Sequence, residues 1–374
     1  MTTDPPSGSE RRGLSRAQDS PSPTKKTTCA RSEPSPKNSV PSSSTYPSRP
    51  ADRTRWILSR RGPKNLVDAT RAYATLWEEE PDAAGDLVST ATVFLTNREC
   101  PYRCLMCDLW RNTLNESVPT GKNPAQLVDA LSNLPAARQV KLYNAGSFFD
   151  SNAIPVDDYP AIAQICAGYE RVIVECHPAL VGQRVLDFKS LLNIRYETEL
   201  SVRSPGLGGH QVTAPRLEVA IGLETAHEGV LDKLNKRFTL DDFRRAANFL
   251  TDHDIDLRVF LLLRPPFMTE AEGVDWAKRS IDVAFDSGAT VVCVIPTRDG
   301  NGAMEALRES GDWSPPSVQS LEEVQQYGVS LKRGRVFADL WDIERFYVEE
   351  ADVVRGRRIE ERNLAQESMT GQRK

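Results

Sequence analysis

Three cysteines, Cys100, Cys104 and Cys107, fall in the single segment Asn97-Arg98-Glu99-Cys100-Pro101-Tyr102-Arg103-Cys104-Leu105-Met106-Cys107-Asp108, directly after the apolar run from Ala91 to Leu95. The C-x3-C-x2-C spacing delivers three thiolates from one short loop, a set that suits a [4Fe–4S] cube with one iron left unligated. An open iron can chelate a small molecule, and a cube at low potential can pass it one electron. Pro, Arg and Asp between the cysteines make this a loop rather than a packed apolar face. A structural zinc site prefers four ligands in paired C-x2-C or Cys/His units. No second pair follows here, and His177, His210, His227 and His253 lie scattered downstream.

The remaining composition bounds the setting. With 374 residues, 39% of them hydrophobic and 26% charged, the chain has room for one large α/β domain with a tail. No apolar stretch approaches the roughly 20 residues of a membrane helix, and the polar N-terminus carries no secretory signal. Seven cysteines, an odd count with three in one motif, point to a reducing, cytoplasmic location rather than a disulfide framework. A net charge of −5 supplies no global attraction to nucleic acid.

Residues 1–52 are rich in Ser, Pro and Thr and nearly free of large apolar groups, so they are expected to be disordered. A helical lead-in is expected over 53–90, a core barrel over 91–300, a helix/strand extension over 301–354 and a charged flexible tail over 355–374. Within the core, short apolar runs predict strands at Thr92–Thr96, Val140–Tyr143, Arg171–Cys176, Leu217–Leu223, Leu257–Leu263 and Thr290–Pro296. Helical periodicity separates them, at Pro124–Leu134, Tyr159–Tyr169, Gln183–Leu192, Leu240–His253 and Thr269–Ser287. Strand–helix alternation implies right-handed βαβ units and a parallel sheet. A doubly wound sheet satisfies the same pattern, but polar residues gather at every strand end: the cysteine loop, Asn144-Ala145-Gly146-Ser147, Glu175-Cys176-His177, Glu224-Thr225, Arg264 and Pro296-Thr297-Arg298. Such a rim belongs to a partial (β/α)6 barrel with its site at the C-terminal ends of the strands.

The cysteine spacing resembles that of the radical S-adenosylmethionine (SAM) superfamily. Asn97-Arg98-Glu99-Cys100-Pro101, Lys141-Leu142-Tyr143-Asn144-Ala145-Gly146-Ser147-Phe148-Phe149-Asp150, Gly222-Leu223-Glu224-Thr225 and Leu234-Asn235-Lys236-Arg237 resemble its elongator-catalytic-subunit/MiaB/NifB-like core, nearest the radical SAM group of archaeosine synthesis. The resemblance spans roughly Thr92 to Asp342. It implies a [4Fe–4S] cluster on Cys100, Cys104 and Cys107, and SAM bound and cleaved to a 5′-deoxyadenosyl radical. By the same resemblance the Asn144-Ala145-Gly146 turn meets the SAM ammonium, and Glu175 meets the SAM ribose or a basic residue of the pocket. Arg237 is then the basic counterpart, Pro296 and Met106 lie at the adenine, and His177, Glu224 and Arg264 face substrate. Met106 departs from the family, which often has an aromatic residue there. Implied partners are a flavodoxin- or ferredoxin-type electron donor and a tRNA or protein partner. Lys332-Arg333-Gly334-Arg335 and Arg355-Gly356-Arg357-Arg358 are candidate phosphate contacts, and Ser201–Arg216 is a candidate lid. Two other readings stay open at this point: a zinc-stabilised, non-catalytic barrel, and a cluster protein that senses iron or redox state.

Overall fold

The computed structural model describes residues 46–202 and 214–366, with the backbone alone described over 195–202. Eight strands form one curled sheet in sequence order: β1 (Ala74–Pro81), β2 (Leu87–Leu95), β3 (Gln139–Asn144), β4 (Arg171–Glu175), β5 (Arg216–Glu224), β6 (Asp256–Leu263), β7 (Val291–Pro296) and β8 (Arg335–Ala338). β1 runs antiparallel to β2 and all later neighbours are parallel. A helix α1 (Pro50–Leu58) precedes the sheet. Between the parallel strands the chain returns through α2 (Lys122–Ser132), α3 (Tyr159–Cys166), α4 (Gln183–Val202), α5 (Glu228–Lys233), α6 (Leu240–Asp252), α7 (Glu270–Asp286), α8 (Ala303–Ser310) and α9 (Val318–Ser330). This is the barrel-type α/β winding that the strand–helix alternation implies.

Each strand alternates between two environments. Residues on the outer face, among them Val93, Leu142, Val174, Val219, Leu261, Val294 and Val336, join one apolar cluster with the helices. Residues on the inner face are layered and largely polar. At the N-terminal end Lys141, Glu218 and Arg258 are buried: both cations pair with Glu80, Arg258 Nη2 at 3.0 Å, and Arg258 Nε also lies 2.6 Å from Glu218. Arg335 of β8 donates to the Pro81 carbonyl of β1 at 3.0 Å, joining the first and last strands. Above lies a chain of aromatic rings, Tyr73, Phe94, Tyr143 and Phe260, spaced 5.7–6.0 Å apart. Buried charges persist only when paired, and here every one of these cations faces a carboxylate or a carbonyl.

The six expected strands correspond to β2–β7, and the extremes of the chain depart from expectation. Of the 53–90 stretch only α1 is helical; β1 occupies Ala74–Pro81, where Glu78 and Glu80 turn into the barrel to meet Lys141. A Glu-rich strand conflicts with β propensity, and the interior cations are what overrule it. β8, only four residues long, falls within the expected helix/strand extension. The segment expected to be a flexible tail from 355 forms most of α10 (Glu350–Ala365), with Ile359 fully buried and Arg362 bonded to Gln325 at 2.7 Å. Helix α4 runs on to Val202, and the candidate lid falls mainly on 203–213, outside the described residues. Residues 1–45 of the tail are likewise outside them. From Tyr46 the chain is seated: its hydroxyl donates to the Lys233 carbonyl at 2.7 Å and its ring meets Trp56 edge-on.

Candidate functional site

The cysteine loop leaves β2 and is pinned from beneath. Leu105 is fully buried among Ile57, Leu234, Leu262 and Met304, so the loop is anchored between its second and third cysteines. Its backbone is fixed by Leu105 N–H to the Leu234 carbonyl (2.9 Å), by Asn235 Nδ2 to the Arg103 carbonyl (2.7 Å), and by Asn301 Nδ2 to the Leu105 carbonyl (2.8 Å). Asn301 also accepts from the backbone of Ala303 and Met304, capping α8. Glu99 is held by Arg61 at 2.7 Å and Lys64 at 2.8 Å, and these cations keep its carboxyl below the ordinary carboxylate range against its burial. Asn301 and Asn235 carried no recognisable signal in sequence, because a carbonyl-binding carboxamide has no fixed spacing from what it binds.

Burial pushes the three thiols up, Cys100 and Cys104 to about 11 and Cys107 to about 12. They become ligands only where cations stabilise thiolate. Lys236, Arg61 and Arg103 are built-in cations acting on them, and Lys236 is the buried one. Its ammonium pairs with Glu224 at 2.7 Å, both groups are buried, and its charge acts on Cys100 and Cys104. Glu224 reaches this position through a register shift in β5 after Gly222 and a left-handed backbone (φ 67°). At Gly222 a Cβ would stand 2.4 Å from Glu224 Oε1 and 2.9 Å from Lys236 Nζ, so only glycine leaves room for the pair.

Next to this pair, burial raises the carboxyl of Glu175 to about 7, against a hydrogen bond from Asn144 N–H at 3.1 Å. Both polar atoms of the Asn144 side chain are buried without a partner among the described residues. Ala145 is buried, and Gly146 follows at φ 146°, where a Cβ would come within 3.2 Å of Cys100 Cβ. Gly146→Ala is therefore expected to strain the backbone by about 1–3 kcal/mol and push Cys100 outward. A lowered melting temperature together with reduced iron loading checks this. For Glu175 the folded-state value exceeds the ordinary one, so its contribution is complete below about pH 4.5 and is lost as pH rises through about 7. The unliganded protein should lose on the order of 2 kcal/mol between pH 5.5 and 8.5, and Glu175→Gln should flatten that slope in denaturant melts.

Met106 and Pro296 line one cavity of about 110 Å³ together with Asp108, Leu262 and Asn301. The other expected site residues are placed differently. Arg237 turns outward to the Pro50 carbonyl (3.0 Å) and Thr54 Oγ1 (2.8 Å), so the inward cation is its neighbour Lys236. His177 has both ring nitrogens engaged: Nδ1 accepts from Ala179 N–H at 3.2 Å and Nε2 lies 2.9 Å from the Lys236 carbonyl. Its ring stacks on Tyr102 at 3.8 Å, and burial lowers it to about 4. It therefore works as a neutral brace between the cysteine loop and Lys236. Arg264 is drawn to Glu270 and to the Pro315 carbonyl at 2.7 Å, away from the rim. The basic clusters are mostly paired: Arg333 with Asp286, Arg355 with Glu349 and Asp352, Arg358 with Glu322, and Arg335 inside the barrel.

Comparison with known proteins adds lineage. No family model matches the chain. Archaeosine synthase subunit beta of Methanosarcina acetivorans is 26% identical over 265 residues, covering 68% of this chain and 71% of that protein. The same subunit of Thermococcus kodakarensis is 27% identical over 267 residues, covering 67% and 75%. Among solved structures, the Elp3 protein of Methanocaldococcus infernus aligns with TM-score 0.46 and 13% identity over 73% of this chain and 63% of that one. Over about two thirds of its length the chain is thus similar to archaeosine synthase subunit beta of two archaea.

Proposed function

We propose that this protein is a radical SAM enzyme that binds one [4Fe–4S] cluster on Cys100, Cys104 and Cys107 and cleaves SAM reductively. The observation carrying the reading is the loop itself: three thiols anchored around buried Leu105, with the Lys236 charge acting on Cys100 and Cys104 and Gly146 set against Cys100. The donor set fits such a cluster, since three thiols from one loop leave one iron free. Among the described residues no three donors are already closed around a single metal ion. A cluster held by Cys100, Cys104 and Cys107 would supply the single electron that reductive SAM cleavage needs.

The protein's own groups do the rest. Lys236, held in place by Glu224, offers a buried ammonium to the SAM carboxylate. Asn144 and the open backbone at Ala145 and Gly146 present acceptors to the SAM ammonium, and Glu175 hydrogen-bonds the ribose, as an acid below about pH 7. The Met106–Pro296 cavity receives the adenine, with the Met106 thioether packing on the ring. The braces from Asn235, Asn301 and His177 keep the loop rigid.

The substrate we infer is a tRNA nucleoside, in company with a partner protein, because the relatives are named as one subunit of archaeosine synthase. An electron donor of flavodoxin or ferredoxin type completes the system. The test is anaerobic turnover with bulk tRNA: tRNA-stimulated 5′-deoxyadenosine formation and a mass change in one tRNA nucleoside are expected. Basal SAM cleavage that tRNA leaves unchanged, with or without a partner protein, contradicts the tRNA assignment and leaves the radical chemistry standing.

A further inference from the structure

A second, larger cleft lies beside the cysteine loop. It measures about 410 Å³ and is lined by Asn65, Leu66, Asp68, Arg71, Tyr73 and Asn112, among others. Its floor is fixed: Asn65 N–H donates to the Arg111 carbonyl at 2.8 Å, and Gln126 Nε2 holds the Ala69 carbonyl at 2.8 Å. Asn112 ends the single helical turn Leu109–Asn112, which starts two residues after Cys107. Tyr73 is the lining residue on the barrel side, its ring packed on Phe94 of β2 at 5.7 Å.

The lining has a readable chemistry. Asn65 Nδ2 donates to Asn112 Oδ1 at 2.8 Å, which leaves the other atom of each carboxamide, Asn65 Oδ1 and Asn112 Nδ2, without a hydrogen bond among the described residues. Flipping both amides together keeps one acceptor and one donor side by side, and flipping one alone would set like groups against each other. Arg71 contributes a guanidinium that forms no side-chain hydrogen bond among the described residues and whose charge also acts on the Asp68 carboxylate, while Leu66 is fully exposed beside it. An adjacent donor and acceptor, a guanidinium and a phenol ring match the edge and face of a nucleobase, since carboxamides and guanidinium read base edges in pairs and aromatic rings stack on their faces.

We propose that this cleft is the substrate chamber, separate from the Met106–Pro296 cavity, and that it takes a planar nitrogen heterocycle of the nucleobase type. Asn65 and Asn112 read its edge, Arg71 meets its acceptor groups or the adjoining phosphate, and Tyr73 offers its ring on the barrel side. The proposal rests on the radical SAM reading for the reaction and on the cleft alone for the binding. A flipped nucleotide of tRNA and a free nucleoside share this chemistry.

The test uses the full-length protein, anaerobically reconstituted, with fluorescently labelled bulk tRNA and with free guanosine and adenosine as separate probes. Wild type is compared with Arg71→Ala and Tyr73→Phe, their folds checked by circular dichroism; Arg71 is exposed, so its loss leaves the core intact. The expected result is binding by wild type and at least about tenfold weaker binding by Arg71→Ala, the loss of one charged contact, while Tyr73→Phe, which keeps the ring, binds like wild type. Competition by free nucleosides assigns a free base as the source; binding of tRNA alone assigns the polymer. Equal binding by wild type and both variants overturns the proposal, as does the absence of binding to every probe. SAM cleavage by the wild-type protein is measured in parallel: its failure sinks the radical reading, while the binding arm still judges the chamber.

Discussion

Cys104→Ala is expected to abolish both the brown iron–sulfur absorbance and 5′-deoxyadenosine formation, while the melting temperature stays within about 4 °C of wild type. The asymmetry follows from where the loop is anchored. Leu105 is buried and the backbone is held by Leu234, Asn235 and Asn301; none of these contacts passes through the Cys104 thiol. Losing one of three ligands removes the cluster site, while exchanging a small thiol for a methyl group barely changes packing. Iron and sulfide assay, differential scanning calorimetry and product analysis on the same preparation read all three quantities. Retained SAM cleavage in this variant would be incompatible with the assignment.

The second large effect concerns Lys236. Lys236→Met leaves Glu224 buried without its 2.7 Å partner, and breaking one side of a buried ion pair costs about 3–5 kcal/mol. Adding Glu224→Gln removes the orphaned charge, so the double variant should recover most of the stability. SAM affinity should not recover, because the ammonium that meets the SAM carboxylate is gone; a loss of at least about tenfold is expected, the weight of one charge-assisted hydrogen bond. Urea melts of the three variants separate the stability effect, and equilibrium dialysis with SAM separates the binding effect. Full SAM affinity in the folded double variant would return the role to another cation. Arg237→Ala serves as the contrast. Its guanidinium points to Pro50 and Thr54, so SAM affinity should stay near wild type.

The exchange between Lys236 and Arg237 illustrates what a sequence conceals. The Leu234-Asn235-Lys236-Arg237 segment stands out in sequence as a basic contributor to the site, but it is a turn with left-handed residues at Asn235 and Arg237 (φ 59° and 63°). In such a turn neighbouring side chains diverge, and spacing does not say which one enters the barrel. The cysteine loop, Gly146 and Glu175 are legible because their chemistry is tied to strand ends. His177 and Arg264 also sit at strand ends, yet local hydrogen bonds claim them: His177 by Ala179 and Lys236, Arg264 by Glu270 and Pro315. At the barrel's N-terminal end the apolar strand runs contain Lys141, Glu218 and Arg258, isolated charges that look like imperfections until Arg258 is seen to bridge Glu218 and Glu80 of β1, which also pairs with Lys141. Because β1 precedes the parallel core and is glutamate-rich, the strand and the network it completes become readable only together.

The most direct test of the central claim is one measurement on the wild-type protein: anaerobic reconstitution with iron and sulfide, reduction with dithionite in the presence of SAM, and chromatographic detection of 5′-deoxyadenosine. The account predicts about four irons per chain and 5′-deoxyadenosine formed in step with methionine. A protein that takes up zinc in place of iron, or that assembles the cluster and leaves SAM intact, would contradict it.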